Sequence, residues 1–359
     1  MAVPDLGVAP AAGLARADRG RSPLAIAAVC AVVGVVLVWV ALVTMGSASA
    51  WAKAPVMTAG GALIVHAVGR VGVRLRGAAF QASFALSVVW LIVLVLAAVF
   101  ADALPLGNHN NTSATIGVQG YARPDLLSAH PLGTNNFGLD LLARAIYGAR
   151  VSLLTVALTV AISLLIGATI GMVAGYFRGP VDAIVGIFAD AALAIPALVV
   201  LIAFAAMLGP PTRVPEAVVK TSAALAIVGI PTMIRLARAN TLVVAQREFV
   251  HAARTLGARD RRIIVREVLP NVALPLVSYA FVVSAVLIVA EGSLSFLGLG
   301  LQQPEPSWGN MIAEGGLRDL RNHPHVALVP GAFMFATVYA LNVVGDRARS
   351  AWGGREAKI

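Results

Sequence analysis

The sequence predicts an all-α integral membrane protein, and three observations predict it. The chain of 359 residues is 59% hydrophobic and only 12% charged, about half the charge density of a soluble domain. At that density a globule of this size could not keep its surface wet, so a soluble enzyme is excluded. Disorder needs the opposite composition and is excluded with it. The apolar residues fall in charge-free runs at 22–52, 54–69, 77–101, 151–177, 191–212, 221–234, 268–290 and 322–345. The 27 basic residues, finally, are shared unevenly among the segments between those runs. A single cysteine, Cys30, excludes a disulfide framework and any cysteine-cluster metal site.

Five runs, 22–52, 77–101, 151–177, 191–212 and 268–290, exceed the roughly 20 apolar residues that cross ~30 Å of hydrocarbon. The run 322–345 does so once His323, Pro324 and His325 are given to the preceding loop. Residues 221–234 span if Arg235 and Arg238 snorkel to the interface. Residues 54–69 reach only about 24 Å at 1.5 Å per residue and contain Gly60, Gly61 and His66.

If all the runs cross, alternation puts 1–23, 70–79, 178–182, 235–267 and 346–359 on one side, with 19 Lys and Arg against 8 opposite. The positive-inside rule makes the richer side cytoplasmic, with both termini inside. Dropping 54–69 alone would strand Arg16, Arg19 and Arg21, or Arg70, Arg74 and Arg76, outside. A hairpin over 24–69 is therefore expected. A signal peptide competes for the N-terminus, since Ala48-Ser49-Ala50 resembles a cleavage site, but the apolar stretch is longer than an ordinary h-region and favours an uncleaved anchor.

Between the spans, the outer stretch 102–147 is rich in Asn, Gly, Ser and Thr and reads as an ordered or semi-ordered loop. A second outer segment, 292–325, holds Pro304, Pro306 and Trp308. No repeat of fixed period is visible. Prolines 196, 231, 275 and 330 fall inside or at the ends of spans, where neighbouring helices can satisfy the broken hydrogen bonds.

The cytoplasmic segment 247–271 carries the most specific pattern. Phe249, Ala252, Ala253 and Leu256 stand at i, i+3, i+4 and i+7, one apolar stripe of a short helix. Gly257 sits where a left-handed residue would end it. Asp260 is placed to cap a second helix that runs through Ile263 and Ile264 to Leu269 and stops at Pro270. Periodicity alone allows two readings: an interfacial helix that anchors the loop, or a protrusion on which another protein docks.

Glu248, Ala252-Ala253, Gly257 and Leu269-Pro270 resemble the cytoplasmic signature of ABC importer permease subunits. His130-Pro131-Leu132-Gly133-Thr134-Asn135-Asn136-Phe137-Gly138-Leu139-Asp140, followed by Tyr147-Gly148-Ala149-Arg150-Val151-Ser152-Leu153, is similar to the dipeptide/oligopeptide/nickel branch. So are Ala174-Gly175-Tyr176 with Asp182, Ala194-Ile195-Pro196, Leu294 through Gly300, Pro306-Ser307-Trp308-Gly309, and Asn342 with Gly345-Asp346. These tracts keep the family's order over roughly residues 80–350, in the manner of the second of its two permeases. Leu139 and Glu267 depart from the pattern, at positions where the family usually carries a basic residue and a histidine.

The resemblance implies a type I ABC importer transmembrane domain with a six-helix core over 80–350. An N-terminal helical hairpin extension precedes it at 1–79, and a cytoplasmic tail follows at 351–359. It also implies that Glu248, Phe249, Ala252, Ala253, Leu256, Gly257, Leu269 and Pro270 form the coupling loop against which an ATPase docks. The implied partners are a paralogous permease, two ATP-binding cassette subunits, and an extracytoplasmic substrate-binding protein or lipoprotein, all assembled in membrane lipid. The lysines Lys53, Lys220 and Lys358 sit in no GxxxxGK[ST] phosphate loop. ATP and Mg are therefore expected on the partner ATPases, with no catalytic residue, cofactor or metal on this chain. The cargo implied is di- or oligopeptides or similar small solutes, and the basic charge no longer points to nucleic acid.

Among isolated residues, Asp190 is an acid well inside a span, for which Arg235 or Arg238 is the expected structural partner. Glu291 is expected at the outer end of its span as an interfacial or loop-ordering residue. Trp308 reads as an interfacial anchor or loop-packing residue, and His323 and His325 lack the accompanying ligands of a metal site. Two other functions stand beside the importer reading: an ion- or proton-coupled secondary transporter, and a non-transporting membrane scaffold.

Overall fold

The computed structural model describes residues 81–356 except 126, 127, 317 and 318, together with 30, 32–34, 36, 37, 59, 63 and 66. The expectations for the hairpin 24–69, for Ala48-Ser49-Ala50 and for the last residues of the tail rest on positions outside the described residues. The chain divides into a unit ending at Ala85 and one running from Leu86 to Ile359. The account below concerns the second.

Helix α1 (Ala82–Val99) is apolar on nearly every face. Helix α2 (Leu141–Ile162) starts where the Asp140 carboxylate accepts the Ala143 N–H at 2.7 Å, one of the donors a helix start leaves free. A π-helical turn, Ser163–Ala168, carries it into α3 (Thr169–Phe177), and the whole forms one apolar rod of 37 residues. Helices α4 (Gly179–Ala194) and α5 (Ala197–Leu208) meet at an 88° bend. Pro196, which has no N–H to donate, stands at that break.

Helix α6 (Val214–Val244) contains Pro231, and α7 (Glu248–Thr255) is a short helix after it. Helix α8 (Asp260–Ile263) passes through the π turn Ile264–Val268 into α9 (Leu269–Phe296). Two short helices follow, α10 (Trp308–Glu314) and α11 (Asp319–Asn322), and α12 (His325–Glu356) closes the order. Among the described residues five helical stretches are long and apolar enough to cross a membrane, six if the bent pair α4–α5 is one span. The described residues contain no β-strand.

Helix α6 is central and packs against α2, α3, α4, α5 and α9. Its seam with the α2–α3 rod is built at every fourth position: the small residues Ser163, Gly167, Gly171 and Gly175 on one side, and Gly229, Met233, Ala237 and Thr241 on the other, small except for the buried Met233. A Cβ on Gly167 would lie 2.8 Å from the Met233 Cβ, one on Gly171 2.8 Å from the Ala237 Cβ, and one on Gly175 2.9 Å from the Thr241 Cβ. Where lipid tails are as apolar as leucine, such close backbone approach is what holds helices together.

Several expectations are corrected. The second helix of the segment 247–271 does not stop at Pro270. That proline follows closely on the π turn Ile264–Val268, and the helical chain runs through it without a break. Arg259, not Asp260, is the residue before that helix. The marginal run 221–234 does extend through Arg235 and Arg238, as the expectation required, within a 31-residue helix. Arg144, Tyr147 and Arg150 belong to α2 and not to the outer loop. Glu291 is not interfacial: it is buried inside α9, accepting from Ser152 Oγ of α2 and Ser295 Oγ at 2.8 Å each. Trp308 is fully buried, donating from Nε1 to the Ala145 carbonyl at 2.9 Å, so loop packing is its role. Asp190 does pair with Arg235, at 3.4 Å.

Candidate coupling loop and outer cap

Helix α7 ends by a Schellman motif. Gly257 adopts φ +81°, its N–H reaches the Arg254 carbonyl at 3.0 Å, and the Ala258 N–H reaches the Ala253 carbonyl at 3.1 Å. This places the chain reversal at the glycine that the sequence pattern marks. Val250, fully buried, anchors the loop in an apolar cluster with Tyr176, Ala245, Ile263, Val268 and Val272. Tyr176, near the end of α3, holds the loop from both sides. Its hydroxyl donates to Asp260 Oδ1 at 2.6 Å, and the Arg254 guanidinium lies 5.4 Å from its ring centroid, a cation–π distance. Beside the loop, Asp182 of α4 accepts two hydrogen bonds from Arg238 of α6, the Nη2–Oδ2 contact being 2.8 Å.

Of the eight expected coupling residues, the structure brings six together on α7 and its cap. Phe249, Ala252 and Leu256 form an exposed apolar stripe, Leu256 with 87% of its surface open. Glu248 and Gly257 are exposed at the two ends, and Ala253 turns partly inward against the buried cluster. Leu269 and Pro270 sit apart, in the first turn of α9 beyond α8 and the π turn. Val250 and Tyr176 are the structural residues that the stripe did not reveal. Val250 belongs to a second helical row one residue out of phase with Phe249, and periodicity cannot say which row faces inward.

At the opposite end of the bundle, the segments on either side of α2 and α10 form a polar cap. Arg144, with no exposed side-chain surface, is ion-paired with Glu314 of α10 and donates from Nη1 to the carbonyls of His109 and Pro304, both at 2.9 Å. Asn135 Nδ2 donates to Glu314 Oε2 at 3.1 Å, while its Oδ1 accepts the N–H groups of Phe137 and Leu139. Burial pushes the Glu314 carboxyl above its usual range, opposed by the Arg144 charge and the Asn135 hydrogen bond. His109 stacks on Tyr147 with centroids 3.6 Å apart, and its burial lowers its pKa. Ser307 and Asn310 close a reciprocal capping box at the start of α10. A cavity of about 250 Å³ opens among Thr112, Phe137, Arg144, Gln303, Pro304 and Glu314. His323 stacks on Tyr121 at 4.1 Å, and no group of three or more potential metal ligands occurs among the described residues.

A bundle of five or six apolar spans, with an exposed apolar stripe at one end and an ordered polar cap at the other, is the architecture of a multi-pass membrane protein. The chain belongs to the family of binding-protein-dependent transport system inner membrane components, which it matches over residues 167–352. It is 39% identical over 271 residues to a putative peptide transport system permease protein of Brucella suis, covering 74% of this chain and 86% of that protein. It is 38% identical over 224 residues to a glutathione transport system permease protein of Pectobacterium atrosepticum, covering 62% and 72%. It is 33% identical over 269 residues to a dipeptide transport system permease protein of Alkalihalophilus pseudofirmus, covering 74% and 84%. The fold is thus that of a type I ABC importer membrane domain, and the chain is a permease subunit of an ABC importer and not itself an enzyme. ATP hydrolysis lies in partner subunits. That membership sets aside the ion-coupled transporter and the scaffold.

Proposed function

We propose that this chain is one of two paralogous permeases of an importer for di- or oligopeptides, driven by two ATP-binding cassette subunits and supplied by an extracytoplasmic binding protein or lipoprotein. The cargo reading is supported by relatives named for peptide, dipeptide and glutathione transport. In this reading residues 80–350 form the transport domain, 1–79 an added hairpin and 351–359 a tail, with both termini and the loop 247–271 cytoplasmic. The polar cap faces outward and receives the binding protein.

The observation that carries the coupling role is the exposed stripe of Phe249, Ala252 and Leu256 on a helix whose other row is clamped by Val250 and Tyr176. A lever must be free on the side that is pushed and fixed on the side that transmits. Closure of the ATPases on ATP moves α7. Val250 and the Arg254–Tyr176 contact tie α7 to α3, and the Tyr176–Asp260 bond ties α3 to α8, which runs on into α9. The push therefore passes into the spans and biases the bundle between outward- and inward-open arrangements.

Two substitutions test this in proteoliposomes containing the whole importer. Ala252→Trp fills the exposed face and leaves the buried row alone, so ATP hydrolysis is expected to continue while uptake falls by about tenfold or more, the loss of roughly 1.4 kcal/mol of coupling. Ala253→Trp intrudes on the cluster and is expected to lower both the yield of folded complex and its uptake. Normal uptake by the Ala252→Trp importer would overturn the assignment of the loop.

A further inference from the structure

The first turns of the α8–α9 rod have two unlike faces. Ile263, Val268 and Val272 are fully buried in the cluster that holds Val250. Away from that cluster, two adjoining rows at every fourth residue are exposed: Arg261, Val265 and Leu269, and Arg262, Arg266 and Pro270. Val265 keeps 52% of its surface open and Leu269 37%. Asp260 and Glu267, the acids of the stretch, stand outside both rows. Arginines and aliphatic side chains thus share one open face.

The level of this face relative to a bilayer is marked from two directions. The Tyr176 hydroxyl reaches Asp260 at 2.6 Å, so α8 begins beside the end of the charge-free run 151–177 of the α2–α3 rod. The charge-free run of α9 starts at Val268 and ends at Ala290. At 1.5 Å per residue it covers about 35 Å, enough for ~30 Å of hydrocarbon. Arg266 stands about 3 Å and Arg261 about 10 Å before Val268 along the axis. A headgroup layer is about 5–7 Å deep, and a flexible arginine stem bridges the remaining distance. The three guanidinium groups therefore belong to the headgroup layer and not to the hydrocarbon. Nearby on α6, Arg238, beside Gly175, has its anion in Asp182. Arg261, Arg262 and Arg266 enter no ion pair among the described residues.

We propose that this face binds anionic phospholipid: Arg261, Arg262 and Arg266 take the phosphate-bearing headgroups of the adjoining leaflet, and Val265 and Leu269 lie against the upper acyl chains. Basic side chains beside the end of a span attract anionic headgroups, and a guanidinium holds a phosphate by two parallel hydrogen bonds. The interleaved aliphatic residues favour lipid as the occupant, since such a mixed face is that of a helix lying at an interface. The stripe offered to an ATPase, Phe249, Ala252 and Leu256, is on a different helix, α7. The lipid site goes beyond the importer reading and does not depend on the cargo.

The test uses the complete importer, reconstituted in vesicles of phosphatidylcholine and phosphatidylglycerol in equal parts and re-extracted in mild detergent. The phospholipid that stays with the complex is measured by mass spectrometry. The wild-type complex is expected to retain phosphatidylglycerol in preference. Arg261→Gln/Arg262→Gln/Arg266→Gln is expected to lower the ratio of retained phosphatidylglycerol to phosphatidylcholine by about fivefold or more, with the ATPase subunits still bound. Arg261→Lys/Arg262→Lys/Arg266→Lys, which keeps the charges, is expected to hold most of the preference. No preference in the wild type, or an unchanged ratio in the glutamine variant, would overturn the proposal. An unchanged ratio together with loss of the ATPase subunits would assign the face to ATPase docking and overturn it equally. Should the triple variant fail to assemble, Arg262→Gln/Arg266→Gln takes its place, with a smaller fall in the ratio expected and an unchanged ratio again overturning the proposal.

Discussion

Removing the Arg144 guanidinium would leave the Glu314 carboxylate and the carbonyls of His109 and Pro304 without their buried donor. Breaking one side of a buried ion pair costs about 3–5 kcal/mol, mostly because the survivor stays buried and unpaired. Arg144→Met is therefore expected to lower the thermal midpoint of the purified complex markedly, and Arg144→Met with Glu314→Met to recover part of the loss, since the two effects are coupled and do not add. Gly257 makes a second, smaller demand. Its φ of +81° is strained for any residue with a Cβ, although nothing lies within 4 Å of the place a Cβ would take. Gly257→Ala should cost about 1–2 kcal/mol through the backbone alone. The measurement is trypsin cleavage at Arg254 and Arg259, which should quicken as the chain reversal loosens, with the rest of the chain unchanged.

At the scale of the element, the seam between the α2–α3 rod and α6 should be the least tolerant part of the bundle. Gly171→Leu would push a branched side chain onto the Ala237 Cβ and the backbone of α6. Overpacking of this kind costs about 1–3 kcal/mol or more, and here it also separates the rod from the helix that carries Arg235 and Arg238. Loss of monodisperse complex on size-exclusion chromatography is the expected result, with Gly179→Leu, where nothing lies within 4 Å, losing less through backbone strain at its φ of +61°. The spans themselves were legible because length and freedom from charge are what a bilayer demands. Their ends were not: α2 begins at Leu141, inside what reads as a polar loop, because Arg144 is neutralised by Glu314, 170 residues away in the chain. The same reason hid the true setting of Glu291. A carboxylate looks like a boundary until the serines that accompany it, Ser152 and Ser295, are brought beside it. The glycines at 167, 171 and 175 were visible at a spacing of four, but which helix they faced was not, since Gly229 and Ala237 carry no matching signal in their own segment.

For the whole molecule, one orientation must satisfy both the charge count and the two ends of the bundle. If all eight apolar runs cross, alternation puts nineteen basic residues on one side and eight on the other, and the richer side is expected to bear α7. The opposite side bears the cap, where Ile116 stands 85% exposed. Single cysteines can decide this in a background where Cys30 is replaced by serine. Ile116→Cys should react with a membrane-impermeant maleimide in intact spheroplasts. Leu256→Cys, just as exposed in the structure, should react only after the membrane is opened. The comparison is well posed because both side chains are open in the folded chain, so a difference in labelling reports the membrane and not local burial. Bound ATPase subunits would also cover Leu256. Labelling of the opened membranes must therefore be repeated after the ATPases are stripped, and Leu256→Cys should then become more reactive while Ile116→Cys does not change. If instead Leu256→Cys labels in intact spheroplasts, the bundle is inverted, and the coupling loop, the cap and the direction of transport would all have to be reassigned together.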